Sequence, residues 1–160
     1  MRKSRTRQYY ESCAAQYAMS TSAIDLSEQL ALFGRHLTPR TRVLDLGSGG
    51  GRDLRSLSSM GVAVLGMDYS RALCAIASQT SGCPVVCGDM RSLPFRDAVF
   101  DGVWCIGALL HLKRADVPAV LLAIHQILVE HGVLACSVKL GQGSATDDKG
   151  REFTFFGRQE

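Results

Sequence analysis

Apolar residues along this chain switch between a helical spacing and short continuous runs. Leu26, Leu30, Phe33 and Leu37 recur at helical spacing. Ser22 followed by Asp25 has the pattern of a capping box, so the helix is predicted to open there. Thr38-Pro39 ends it, because a residue before proline is pushed out of the helical region. Val43-Leu44-Asp45-Leu46 then reads as a buried strand, followed by the turn Gly47-Ser48-Gly49-Gly50-Gly51. Leu54 and Leu57 suggest a helix to about Met60. A second strand runs from Val62 to Met67 and ends at Asp68. Ser70 is placed to cap a third helix carrying Leu73, Ile76 and Ala77 on one face. Pro84 to Cys87 is a third strand ending at Gly88-Asp89, and Val99 to Cys105 a fourth. Val117, Leu121, Ile124 and Leu128 mark a long helix stopped near Gly132, and Val133 to Val138 is a fifth strand.

Strands alternating with helices imply an α/β fold, a doubly wound, Rossmann-like parallel sheet with helices on both faces. Ligands in such sheets bind beyond the carboxyl ends of the strands, at the switch point. Asp45, Asp68 and Asp89 fall at or near those ends. A length of 160 residues suits a single domain, 1–160, with 1–21 as a basic lead-in. Apolar residues make up 46% and charged residues 21%, close to globular usage, which excludes collagen, low-complexity disorder and coiled coil. No apolar run approaches the roughly 20 residues of a membrane span. The net charge of +3 is too mild to argue for nucleic acid.

Six cysteines stand at positions 13, 74, 83, 87, 105 and 136. Only Cys83 and Cys87 are close, and no second ligand pair follows, so no metal site is expected. They read as reduced thiols in a cytoplasmic protein, several of them small core residues. Arg2, Lys3, Arg5 and Arg7 precede any acid, and no apolar segment follows as in a secretory signal. A solvated tail is the expectation, with a nucleic-acid arm or a targeting fragment as alternatives.

The glycine turn fits neither common phosphate loop. A dinucleotide fingerprint needs a third glycine where Arg52 or Leu54 stands, and no Gly-Lys-Ser/Thr follows for a P-loop. What fits is G-x-G-x-G at Gly47, Gly49 and Gly51. Val43 to Arg52 resembles motif I of class I S-adenosylmethionine-dependent methyltransferases. Three further segments resemble the same family in order and spacing. Gly66-Met67-Asp68-Tyr69-Ser70 matches its second strand end and Gly88 to Phe95 its adenine-binding stretch; Phe100-Asp101-Gly102-Val103 with Leu110-His111-Leu112 matches its fourth strand and following loop.

The resemblance implies S-adenosyl-L-methionine as cofactor and S-adenosyl-L-homocysteine as product. It implies that Asp68 accepts the ribose hydroxyls, that Asp89 takes the adenine amino group, and that the Met90 backbone N–H donates to a ring nitrogen. Gly47, Ser48, Gly49 and Gly51 would form the cradle, the Cys105 carbonyl would receive the ammonium, and Tyr69 would pack on the adenosine. Tyr17 resembles a cofactor-covering tyrosine, and Asp45 reads as an acid bracing the glycine loop. Each residue also has a plainer reading: Asp68 as a helix cap, Asp89 as a turn residue, Tyr17 as surface packing.

The expected activity is transfer of the cofactor's methyl group to an acceptor by in-line displacement, with orientation as the enzyme's main contribution. The acceptor is expected to be a small molecule. No Asn-Pro-Pro-Tyr signature or RNA-binding appendage is visible. His111 is the candidate base by position, whereas His125 and His131 read as structural. The competing readings are a cofactor-binding but inactive protein and, more remotely, an NAD-dependent oxidoreductase. Gly150 to Phe156 reads as the lead-in to a further helix, so five of the family's seven strands are expected and the C-terminal helix and hairpin are absent. That would leave 133–138 at a sheet edge, either pairing with a second copy or covered by residues 140–160.

Overall fold

Adjacent residues of the first strand face opposite sides, and both sides are apolar. Val43 packs into one core, while Leu44 and Leu46 pack into another. Such a strand must lie between two helical layers. The computed structural model describes residues 4–158 and has that architecture. The strands are β1 (Arg42–Leu46), β2 (Ala63–Asp68), β3 (Val85–Cys87), β4 (Phe100–Cys105) and β5 (Leu128–Cys136). They form one five-stranded sheet in the order β3-β2-β1-β4-β5, parallel throughout. The order reverses between β1 and β4, so the switch point lies at their carboxyl ends.

Among the described residues six α-helices accompany the strands: α1 (Arg5–Ser12), α2 (Ala14–Thr21), α3 (Ser27–Gly34), α4 (Arg52–Ser58), α5 (Arg71–Ser81) and α6 (Val117–Ile127). On one face Leu30 and Phe33 of α3, Leu54 and Leu57 of α4 and Ala77 of α5 bury Val43, Val64 and Trp104. On the other, Val120, Ile124 and Ile127 of α6 bury Leu44, Leu46 and Val103. Burying a Val or Leu side chain fully contributes about 1.5–3 kcal/mol, so the paired cores fix the register of the central strands.

Four expectations are corrected. The basic stretch expected as a solvated tail, residues 1–7, is not one where the structure describes it: Arg5 and Arg7 open α1, which with α2 packs on the domain, and Arg2 and Lys3 lie outside the described residues. Ser22 caps the end of α2 instead of opening a helix, while the Asp25 carboxylate accepts from the Ser27 N–H at the start of α3. The last helix stops at Ile127, and Leu128 already pairs with Phe100. A bulge at His131 (φ 64°) and Gly132 then restores the pairing at Gly102 and Val133. Finally, the C-terminal stretch is not the lead-in to a helix. β6 (Lys139–Leu140), β7 (Ser144–Thr146) and β8 (Glu152–Phe156) form a second, three-stranded sheet in the order β6-β8-β7. It packs by the carboxyl end of the main sheet, where Thr154 Oγ1 donates to the Leu112 carbonyl at 2.6 Å. It does not cover the edge of β5, which pairs with β4 alone among the described residues, and Leu134 and Val138 are exposed there.

Candidate cofactor site

The switch point opens into a cavity of about 390 Å³, within the range of small-ligand sites. Its floor is the glycine turn. Gly47 sits at φ 86°, and a Cβ there would come within 2.4 Å of the Ala108 Cβ in the loop after β4. Only glycine lets the two loops meet this closely. Gly49 (φ 52°) is different: a Cβ there would meet only the Tyr17 ring, at 3.5 Å, so it borders the cavity's open space. Gly51 (φ 86°) points away from the cavity, and its Cβ would come within 2.8 Å of Ala77 backbone atoms in α5. Its role is helix packing.

Asp68 ends β2 and braces the turn. One carboxylate oxygen accepts from the Gly49 N–H at 2.9 Å, the other from the Ser70 N–H at 2.8 Å. Burial raises its pKa, and the N–H groups of Ser70, Gly49 and Tyr69 partly counter that rise. The carboxylate keeps lone pairs for a ligand in the cavity it lines. Asp89, after β3, also lines the cavity. Burial would raise its pKa, but hydrogen bonds from the Arg91 guanidinium and backbone N–H win and hold it low, so it is ionised.

The roof comes from the two ends of the chain. Arg7 of α1 stacks over the Tyr69 ring at 4.2 Å. The Glu11 carboxylate accepts from the Ser70 hydroxyl at 2.8 Å. Thr6 Oγ1 accepts from the Glu152 N–H at 2.9 Å, joining α1 to β8. Tyr10 and Tyr17, one above the other on this segment, meet edge to face at 4.9 Å.

His111 lies where these parts converge. Nδ1 is 2.8 Å from the Glu152 carbonyl, which can only accept, so Nδ1 carries the proton. In the neutral ring Nε2 then accepts from the Tyr10 hydroxyl at 2.8 Å. Burial lowers the His111 pKa, and nearby Arg151 and Lys139 push the same way. Burial raises Tyr10, with a contribution from Tyr17. The pair is therefore a neutral phenol on a neutral imidazole, at the cavity wall.

Asp45 is 2% exposed and faces the other core, with Oδ2 lacking a partner. Burial raises its pKa well above the ordinary carboxylate value, and Asp53 and Asp68 add to the rise. Asp53 accepts from Arg52 at 2.6 and 2.9 Å and from the Trp104 indole N–H at 3.0 Å. Arg52 also donates to the Thr21 carbonyl at 3.1 Å, tying α2 to the start of α4.

Gly47, Gly49, Tyr17, Asp68, Tyr69, Asp89, Met90 and His111 all border the cavity. Ser48, Gly51 and Cys105 do not: Ser48 is buried with its hydroxyl unpartnered, and the Cys105 carbonyl accepts from the Ser137 N–H at 3.3 Å. Asp45 stands behind the loop as a bracing acid should, yet it is held by burial and not by a hydrogen bond from the turn. Tyr10, Arg7 and Arg91 were missed. Tyr10 belongs to the same aromatic lead-in as Tyr17, but its partner His111 lies 101 residues away, which no local spacing reports. Among the described residues no group of three or more His, Cys, Asp or Glu could hold a metal, and no helix is long and apolar enough to cross a membrane.

The residues fit an adenosyl amino-acid cofactor. Asp68 offers a half-buried acceptor, Gly49 an unfilled cradle, and Asp89 a second acceptor on the same wall. Comparison with known proteins points the same way. A family profile described as methyltransferase domain matches residues 44–136. An uncharacterized methyltransferase of Synechocystis is 32% identical over 108 residues, 67% of this chain and 51% of that protein. The 24-methylenesterol C-methyltransferase 2 of Oryza sativa is 38% identical over 84 residues, 48% of this chain and 23% of that protein. The match thus spans about half of one curated relative's length and a quarter of the other's. Among solved structures, the 1,6-didemethyltoxoflavin-N1-methyltransferase of Burkholderia thailandensis, bound to 1,6-didemethyltoxoflavin and S-adenosylhomocysteine, superposes with a TM-score of 0.79. It is 24% identical, over 97% of this chain and 72% of that one.

Proposed function

The chain belongs to the class I S-adenosylmethionine-dependent methyltransferases, and from that premise we propose that it transfers the cofactor's methyl group to a small-molecule acceptor that gives up a proton. The observation that carries the reading is the Asp68 carboxylate, braced by Gly49 on the wall of a cavity of about 390 Å³. S-adenosylmethionine supplies a methyl group already activated by the sulfonium. The protein's own residues bind, orient and exclude water.

Asp68 accepts the ribose hydroxyls, as an acid at this strand end does in dinucleotide folds. Asp89, kept ionised by Arg91, meets the adenine edge with the Met90 N–H beside it. Gly47 and Gly49 leave room for the amino-acid part. Arg7 on Tyr69, and Tyr10 on Tyr17, close the roof and keep bulk water from the reacting atoms.

The Tyr10–His111 pair is the proton acceptor. A proton leaving the acceptor passes to the Tyr10 oxygen as the Tyr10 proton moves to His111 Nε2, and the Glu152 carbonyl holds Nδ1–H throughout. Ser48, Gly51 and Cys105 act as supports. A small acceptor suits a cavity roofed at both chain ends. One relative is named a 24-methylenesterol C-methyltransferase and one fold neighbour an N1-methyltransferase, so carbon and nitrogen acceptors both belong in the test. The six unpaired thiols favour a reducing, cytoplasmic location.

The test is an assay for S-adenosylhomocysteine formation from S-adenosylmethionine, with a panel of small O–H, N–H and acidic C–H acceptors. Acceptor-dependent product is expected. Cofactor binding with no turnover on any panel member identifies a binding protein instead.

A further inference from the structure

Two thiols that the methyl-transfer reading leaves idle stand side by side behind the cofactor wall. Cys74 is buried in the first turn of α5 and donates to the Asp68 carbonyl at 3.4 Å. Cys87 is exposed at the end of β3, pairs in register with Asp68, and donates to the Tyr69 carbonyl at 3.9 Å. The two sulfurs thus bond to consecutive carbonyls of the peptide that carries the proposed ribose-binding carboxylate. Cys74 also donates to the carbonyl of Val86, the residue next to Cys87 in β3, at 3.7 Å, which places its sulfur beside the Cys87 peptide.

We infer that Cys74 and Cys87 form an oxidisable pair whose disulfide weakens cofactor binding, an inference that rests on the cofactor reading above. The oxidant is a peroxide, which enters at the exposed thiol. The Cys87 sulfur attacks one peroxide oxygen, the O–O bond breaks, and a sulfenic acid and one water result. The Cys74 sulfur then attacks the Cys87 sulfur. The S–S bond forms, the S–O bond breaks, and the hydroxyl leaves as a second water with the Cys74 proton. Two thiols lose two electrons and one peroxide gains them. Burial pushes the Cys74 thiol up to about 12 and makes it the less reactive of the two, so the exposed Cys87 meets the peroxide first.

A disulfide needs its sulfurs at about 2.05 Å, closer than two thiols in contact. Closing it removes both S–H donors from the Asp68 and Tyr69 carbonyls and draws the first turn of α5 toward the end of β3. The carboxylate that braces Gly49 sits on that peptide.

The experiment uses the full chain with stoichiometric hydrogen peroxide, peptide mass analysis, and titration with S-adenosylhomocysteine. Cleavage after Arg71 and Arg91 releases residues 72–91, which hold Cys74, Cys83 and Cys87 together. Oxidised wild type should give this peptide two hydrogens lighter, and so should Cys83→Ser. Cys74→Ser and Cys87→Ser should not. Oxidation should weaken wild-type affinity about 5–150-fold, the usual range for coupled sites, with recovery after a thiol reductant. The affinity of Cys87→Ser should be untouched by peroxide. An unchanged peptide mass, or loss of the two hydrogens in Cys74→Ser, overturns the pairing. A formed disulfide with unchanged affinity overturns the coupling. Failure of the reduced wild type to bind S-adenosylhomocysteine overturns the cofactor reading instead, and the peptide result still decides whether the pair exists.

Discussion

Replacing Asp68 by Asn separates the two jobs of its carboxylate. The Gly49 and Ser70 N–H groups each occupy one carboxylate oxygen. An amide has one oxygen, so one of these donors must face an NH₂ group or lose its partner. A buried donor left unsatisfied costs about 1–3 kcal/mol, which is the expected loss of stability. The ligand separately loses a charged acceptor, and a hydrogen bond to a charged group contributes about 1.5–3 kcal/mol. Affinity for S-adenosylhomocysteine should therefore fall by about one to two orders of magnitude. Urea unfolding measures the first effect and isothermal titration the second. Asp89→Asn should lose less affinity, because Arg91 already engages that carboxylate and the adenine can also meet the Met90 backbone. If Asp68→Asn folds and its affinity stays within about twofold of wild type, or if Asp89→Asn loses more, the assignment of the ribose site fails.

Gly51→Ala adds a methyl within 2.8 Å of Ala77 backbone at φ 86°, and should cost about 2–5 kcal/mol in urea unfolding. Gly61→Ala, at φ 78° with nothing within 4 Å, should cost only the conformational part, about 1–2 kcal/mol. Asp45 has a raised folded-state pKa, so its contribution to stability is lost as pH climbs above the ordinary 3.8, and Asp45→Asn should flatten that decline in urea midpoints. His111 has a lowered pKa, so its contribution is present above the ordinary 6.5 and lost as pH falls; an equally steep acid loss in His111→Gln refutes this. The unpaired edge of β5, with Leu134 exposed, should support self-association, and light scattering that stays monomeric across a concentration series contradicts it.

The five parallel strands were legible as short apolar runs, and β1, β2 and β3 were marked further by a glycine or an acid at the carboxyl end. The same punctuation located Gly47, Gly49, Asp68 and Asp89. What was not legible lies where local pattern and tertiary contact part company. α1 and α2 bury only Thr6 and Ala14, so no apolar stripe marks them. Tyr10 gains its role from a histidine 101 residues away, a distance that no periodicity reports. α6 ends early because Leu128 is as good a strand residue as a helical one, and its pairing with Phe100 decides the matter. β8 reads Glu-Phe-Thr-Phe-Phe, a strand-favouring run, where the family resemblance implies the lead-in to a helix. Gly51 carries the motif's spacing but packs against α5, and Ser48 is buried with its hydroxyl unpartnered.

The most direct test of the central claim is a crystal structure of the chain with S-adenosylhomocysteine. The expected density lies in the cavity under α1, with the ribose hydroxyls on Asp68, the adenine beside Tyr69 and Met90, and the amino-acid part over Gly47 and Gly49. Ligand density elsewhere, or a ribose that makes no contact with Asp68, contradicts the account.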